Sequence, residues 1–167
     1  MRVIFLDFDG VLNSIQSRLY HRHLSGPPTT LLFRDIWCPI ACNNIRILTE
    51  KLPDVHYVIS SSWRHGRTLD ELRDILEEQC GIPRPRVEGT TPYSSPKGNE
   101  RGHQIQEYLT SHPEITDFVI IDDDSDMVHL SDRLVHTTWL HGFQFGDLLQ
   151  VFRLFGEMDL AKGEFVE

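Results

Sequence analysis

Two aspartates stand two residues apart in Asp7-Phe8-Asp9-Gly10, directly after the apolar run Val3-Ile4-Phe5-Leu6. Extended backbone sends alternate side chains to the same side, so Asp7 and Asp9 can act as a pair. One carboxylate can attack an electrophile while the other handles protons. At phosphorus that attack gives an aspartyl-phosphate. Two more apolar runs end in polar clusters: Val58-Ile59 leads into Ser60-Ser61-Ser62, and Val119-Ile120-Ile121 into Asp122-Asp123-Asp124, with Asp126 close behind. Clustered carboxylates without thiol or imidazole partners suit a hard cation with oxygen ligands, Mg²⁺. Such a cation holds substrate oxygen and stabilises charge during phosphoryl transfer. The Ser60 hydroxyl can donate to a phosphoryl oxygen, and Lys97 or Arg101 can supply fixed positive charge.

These residues need a scaffold that brings strand ends together. Arg2 to Asp7 reads as a buried strand broken by Asp9-Gly10. Asn13 to Pro39 reads as an irregular insert or flap, with Gly26-Pro27-Pro28 inside it. Ile40 to Leu52 has helical apolar spacing and stops at Pro53. Val55 to Ile59 is a second strand. Thr68 to Gln79 is an amphipathic helix, with Thr68 as its N-cap and Gly81 as its stop. Arg86 to Glu88 is expected as a third strand, Gly102 to Leu109 as a helix, Asp117 to Ile121 and Leu134 to Thr138 as strands, and Asp147 to Phe155 as a last helix. Alternating strands and helices imply an α/β layered, mostly parallel sheet. Ligands collect at the carboxyl ends of such strands, where the Asp7, Ser60 and Asp122 clusters all fall.

The 167 residues suit a single domain over 1–167, with the insert at about 13–39. The net charge of -9 disfavours non-specific attraction to nucleic acid or anionic membranes. No apolar run approaches the roughly 20 residues of a membrane span. The opening stretch lacks the pattern of a secretory signal, and the protein is expected to be cytoplasmic. Cys38, Cys42 and Cys80 are an odd count and are expected to be free structural thiols. His103, His129 and His141 are expected to be ordinary surface or core histidines.

The ordered set resembles the haloacid dehalogenase (HAD) superfamily. Val3 to Leu12 is similar to its first motif, Val58-Ile59-Ser60 to its second, Arg101 (with Lys97 the competitor) to its third, and Val119 to Asp123 to its fourth. The resemblance implies a Rossmann-like HAD fold with a mostly parallel central sheet, flanking helices and a minimal cap insert. It implies Asp7 as nucleophile and Asp9 as general acid/base. Mg²⁺ would be held by Asp7, the Asp9 carbonyl and Asp122, with Asp123 or Asp126 assisting. Ser60 and Arg101 or Lys97 would bind the phosphoryl group. Dehalogenase-type members lack an acid at the position of Asp9, so phosphoryl chemistry is expected instead. Ser60-Ser61-Ser62-Trp63-Arg64, Arg101 to Leu109 and Ile121 to Asp124 are similar to HAD domains of RNA repair proteins, which implies a nucleic-acid end, such as a 3′-phosphate, as substrate.

Ser61, Trp63 and Arg64 directly follow the second strand and are candidate substrate contacts. Arg18, Tyr20, His21, Arg22 and His23 form a basic-aromatic group in the insert that can follow a phosphate backbone and stack bases. The alternative readings are a small-molecule or protein phosphatase of the same fold, or a receiver-like phospho-aspartate domain. A receiver carries its phosphorylated aspartate on a middle strand, where this chain has Ser60. A DxD sugar-nucleotide transferase and a catalytically dead HAD-like module are further rivals. The early position of Asp7 counts against the first, and the full set Asp7, Asp9, Ser60 and Asp122 against the second.

Overall fold

The structure is a computed structural model and describes residues 1–25, 36–97, 100–159 and 164–165. Five strands form one all-parallel sheet: β1 (Arg2–Leu6), β2 (Val55–Ile59), β3 (Val87–Thr90), β4 (Asp117–Asp122) and β5 (Leu134–His136), in the order β3-β2-β1-β4-β5. β1 is therefore central, and its two neighbours are the strands that lead into Ser60 and the acidic cluster. Their ladders are in step, with Leu6 opposite both Ile59 and Ile121.

Five helices complete the layers: α1 (Ile15–Ser25), α2 (Pro39–Lys51), α3 (Leu69–Cys80), α4 (Arg101–Ser111) and α5 (Phe145–Leu154). Period-two alternation divides β1 between two cores. Ile4 and Leu6 pack with Ile45 and Leu48 of α2, Leu72 and Leu76 of α3, and Leu148 and Phe152 of α5. Val3 and Phe5 pack on the opposite face with Ile105 and Tyr108 of α4. Continued by one residue, that alternation turns Asp7 toward the face carrying α4. α3 opens on a reciprocal capping box, in which Thr68 Oγ1 accepts from the Glu71 N–H and Glu71 accepts from the Thr68 N–H at 2.7 Å. It stops at Gly81, as its sequence indicates.

Two local features differ from the expectation. Residues 15–25 are helical rather than irregular. Ser14 and Ser17 explain the start: the Ser17 N–H donates to Ser14 Oγ at 3.1 Å, and the Ser14 N–H to Ser17 Oγ at 3.0 Å. This is a capping exchange built from two serines instead of serine and glutamate. The Gly26-Pro27-Pro28 part of the insert lies outside the described residues. After α5, Met158–Asp159 (β6) pairs antiparallel with Glu164–Phe165 (β7), a small ribbon the apolar pattern does not signal. No helix among the described residues is long and apolar enough to cross a membrane.

Candidate active site

The site forms where β1, β2 and β4 end together. Ladder bonds continue one residue past the strands, with Asp7 N–H donating to the Ile121 carbonyl and Ser60 N–H to the Leu6 carbonyl, both at 3.0 Å. The nucleophile candidate is thus held by the sheet itself. The chain then turns sharply, with the Phe8 carbonyl accepting from the N–H groups of Val11, Leu12 and Asn13. Gly10 has a φ of 73°, and a Cβ there would overlap the Asp123 carboxylate. Glycine at this position both permits the turn and lets Asp123 close over it.

Asp7, Asp122 and Asp123 each bring a carboxylate oxygen within 4.8 Å of the others. Asp7 and Asp122 are buried. Burial pushes the Asp7 carboxyl up, while the Arg101 charge and the Ser61 hydroxyl pull it back. Burial and the neighbouring Asp7 charge push Asp122 up to about 8, and the same two causes push Asp123 up to about 6. Asp122 Oδ1 accepts from the Asp124 N–H at 2.9 Å, whereas its buried Oδ2 accepts no hydrogen bond. Three crowded carboxylates with an orphaned buried oxygen are a poor arrangement for protons and water. They fit a divalent cation with oxygen ligands.

Arg101, the first residue of α4, places its guanidinium Nη1 3.4 Å from Asp7 and 3.5 Å from Asp122. The same nitrogen donates to the Ser60 carbonyl. Burial works against the charge, but Asp7, Asp122, Asp124 and Asp126 outweigh it and hold Arg101 more firmly protonated. The helix is pinned beneath it. Asp126 accepts the Arg101 N–H at 2.9 Å, and a Cβ on Gly102 would overlap the Met127 backbone. Of the two candidate acids, Asp123 joins the carboxylate group, while Asp126 is engaged at the α4 N-terminus. Of the two candidate cations, Arg101 reaches the carboxylates. Lys97 is exposed and lines a separate hollow with His103, Gln106 and Glu107 on the outer face of α4.

Asp9 is half-buried, and both its oxygens are occupied by neutral donors. Asn13 Nδ2 donates to Oδ1 at 2.8 Å and Trp63 Nε1 to Oδ2 at 2.9 Å. Asn13 carries no motif signal, and only the folded turn brings it back to Asp9. Trp63 is 2% exposed and packs with Phe8 and Trp37, both at 5.3 Å between ring centroids. It steadies Asp9 from below and presents no open face to a substrate. Arg64 is also turned inward. Its Nη1 donates to the Ser60 and Ser61 carbonyls at 2.6 Å each, and its Nη2 to Gln104 Oε1 at 2.6 Å and the Pro92 carbonyl at 3.2 Å. Burial, with Arg101 nearby, pushes it down to about 10. Ser60 is fully buried and its Oγ has no partner; the Ser61 hydroxyl is the one that acts on Asp7.

The basic-aromatic group of the insert does not stay together. Arg18 is buried, with its guanidinium 5.1 Å from the Trp139 ring centroid, while Tyr20, Arg22 and His23 are exposed. His103, His129 and His141 hydrogen-bond Glu100, Gln106 and Thr138 respectively, and none joins the carboxylates. All three cysteines are free and buried.

Against this geometry, the family model for the HAD domain in Swiss Army Knife RNA repair proteins matches residues 3–148. The chain belongs to that family of HAD hydrolase domains, and Asp7 directly follows the central strand of its parallel sheet. No curated protein matches. A haloacid dehalogenase-like hydrolase from Streptococcus pneumoniae is similar at 17% identity over 90% of each chain, with a TM-score of 0.43.

Proposed function

We propose that this domain is a Mg²⁺-dependent phosphomonoester hydrolase that works through an aspartyl-phosphate on Asp7, and that its substrate is a phosphorylated nucleic-acid end. The observation that carries the reading is the gathering of the Asp7, Asp122 and Asp123 carboxylates within 4.8 Å of one another, with Arg101 at 3.4 Å from Asp7 and 3.5 Å from Asp122. Asp7, Asp122 and Asp123 would hold the cation, together with the Asp9 carbonyl. Bound there, Mg²⁺ supplies positive charge against the phosphoryl oxygens and the crowded carboxylates.

Asp7 Oδ attacks phosphorus, and the bond from phosphorus to the ester oxygen breaks. Asp9 gives its proton to that departing oxygen. In the second half, Asp9 takes a proton from water as the water oxygen attacks phosphorus, releasing inorganic phosphate and restoring Asp7. Trp63 Nε1 and Asn13 Nδ2 donate to the two Asp9 oxygens and fix the carboxyl group in place. Arg101 stabilises charge on the phosphoryl group, and Arg64 fixes the Ser60–Ser61 backbone beneath it. Family membership in the RNA repair group and the small insert support a polymer end as substrate.

The test is phosphate release, with and without Mg²⁺, from an aryl phosphate, nucleotides, sugar phosphates, phosphopeptides and 3′- or 5′-phosphorylated oligonucleotides. Turnover should require both the metal and Asp7, and should favour oligonucleotide ends. Equal turnover by Asp7→Asn rejects the nucleophile. Preference for sugar phosphates or phosphopeptides rejects the substrate.

A further inference from the structure

We propose that the exposed ring of Tyr93, braced by His65, is a stacking platform for the terminal nucleobase of a phosphorylated nucleic-acid end. The inference rests on the phosphatase reading above and adds the group that recognises the rest of the substrate.

Tyr93 is 60% exposed, unlike the buried Trp63. An exposed tyrosine usually moves freely, but this one is fixed at several points. Its Oη donates to the Arg64 carbonyl at 2.9 Å, and its own carbonyl accepts from Gln104 Nε2 at 3.3 Å. The preceding Pro92 carbonyl accepts from Arg64. The His65 ring lies against it, with centroids 4.7 Å apart and planes inclined by 45°. A ring held in this way has already lost the freedom that stacking would otherwise cost.

Its position relative to the reacting groups gives the platform a use. His65 lines an open hollow of about 210 Å³ with Ser62, Arg64, Arg101, Gln104, Asp124 and Asp126. Arg101 is the residue that faces Asp7. The hollow therefore runs from the Arg101 guanidinium to His65, the ring that lies against Tyr93. Its walls are hydroxyl, amide, imidazole and charged groups, which suit a sugar and its hydroxyls. A flat apolar face lies beyond it, which suits a base. Arg64 connects the two ends, because one guanidinium holds both the Ser60–Ser61 carbonyls and the Pro92 carbonyl. Tyr20, the other exposed tyrosine outside this rim, lines a hollow with Gln16, Ser17, Cys38, Pro39 and Ile40 that includes none of the reacting residues.

Stacking on an aromatic face tolerates any base, so the platform would select for a base without selecting which. The experiment compares KM for two 3′-phosphorylated oligonucleotides that differ only in whether the terminal nucleotide carries a base or is abasic. The base should lower KM roughly tenfold or more in the unaltered protein. The ratio should fall to about one in Tyr93→Ala and survive in Tyr93→Phe, which keeps the ring. A ratio near one in the unaltered protein, or one that persists in Tyr93→Ala, overturns the platform while leaving the phosphatase reading intact. A ratio seen with nucleoside 3′-phosphates but absent with oligonucleotides overturns the nucleic-acid end. Fluorescence anisotropy with a labelled 3′-hydroxyl oligonucleotide needs no catalysis. If no phosphate ester turns over, the phosphatase reading fails and anisotropy decides the platform. Binding weakened in Tyr93→Ala supports it; equal binding, or none in either protein, overturns it.

Discussion

Two rims flank the strand ends, and they are built differently. On the β2–β3 side, the loop from Ser60 to His65 and the segment around Tyr93 are joined through Arg64, whose buried guanidinium holds carbonyls from both. On the insert side, α1 opens on two serines and turns Arg18 inward, leaving Tyr20, Arg22 and His23 in solvent. Both rims carry arginines and aromatics. In one, long-range hydrogen bonds fix their positions; in the other, the exposed side chains lie on a helix face. Composition alone makes the insert look the better substrate surface. Anchoring favours the other rim, because only a side chain whose position is already fixed can bind without a further ordering cost.

The largest expected contrast concerns the cation between the rims. Arg101→Ala should lower turnover by about 10²- to 10³-fold, as loss of a preorganised charge at a phosphoryl group does. Lys97→Ala, on the outer face of α4, should stay within about twofold. Initial rates under saturating Mg²⁺ distinguish them, and the reverse order would show that α4 is not the helix that serves the phosphoryl group.

Trp63→Phe should come next. It keeps the ring among Phe8 and Trp37 but removes the donor to Asp9. Proton delivery by a positioned group contributes about 10²- to 10⁴-fold in full, so loss of one of two orienting bonds should cost roughly tenfold. The loss should be concentrated on alkyl esters, whose leaving oxygen needs the proton. A p-nitrophenyl ester should be affected much less. An equal loss on both would mean that Trp63 supports only the fold.

Features set by short-range pattern are legible in the sequence, and those set by distant chain are not. Asp7 and Asp122 are legible because parallel strands of matching length end together, and Thr68-Glu71 because a capping box is local. The division between Ser60 and Ser61 is not, since it depends on how the chain turns after β2. Trp63 and Arg64 follow the site in sequence, but which way they face is not legible there. Their partners, Asp9, Pro92 and Gln104, lie 54, 28 and 40 residues away and turn both side chains inward. The α1 helix escapes notice because its cap pairs serine with serine. That Arg101 lies beside Asp7 and Asp122 while Lys97 stays exposed likewise depends on the packing of Gly102 on the Met127 backbone, a contact with no local signal.

A smaller effect concerns the carboxylates. Asp122 titrates near 3.8 in an ordinary setting and is pushed up to about 8 in the fold by burial and the Asp7 charge. The folded chain thus binds this proton more tightly than the unfolded chain does. Its contribution to stability is neutral below the unfolded value and becomes unfavourable as pH rises toward about 8. In EDTA, Asp122→Asn should therefore melt higher than the unaltered protein, with a difference that grows from pH 5 to pH 8 and reaches about 4 °C or more. Mg²⁺ should reverse the order at pH 8, because it stabilises only the protein that can bind it. A pH-independent difference, or an equal Mg²⁺ effect on both proteins, would remove the cation from Asp122.

The smallest effect should come from the insert. Tyr20→Ala and Arg22→Ala alter exposed side chains, and exposed substitutions away from special features usually change stability by less than about 0.5 kcal/mol. Turnover of a 3′-phosphorylated oligonucleotide should change less than about twofold in either. Salt dependence is the sharper measure, since each arginine paired with a phosphate adds roughly one unit to the slope of log affinity against log salt. An Arg22→Ala protein whose slope matches the unaltered one leaves the β2–β3 rim as the side that holds the substrate. A slope reduced by about one unit would bring the insert back, as an electrostatic guide that tracks the chain's backbone while Tyr93 holds its end.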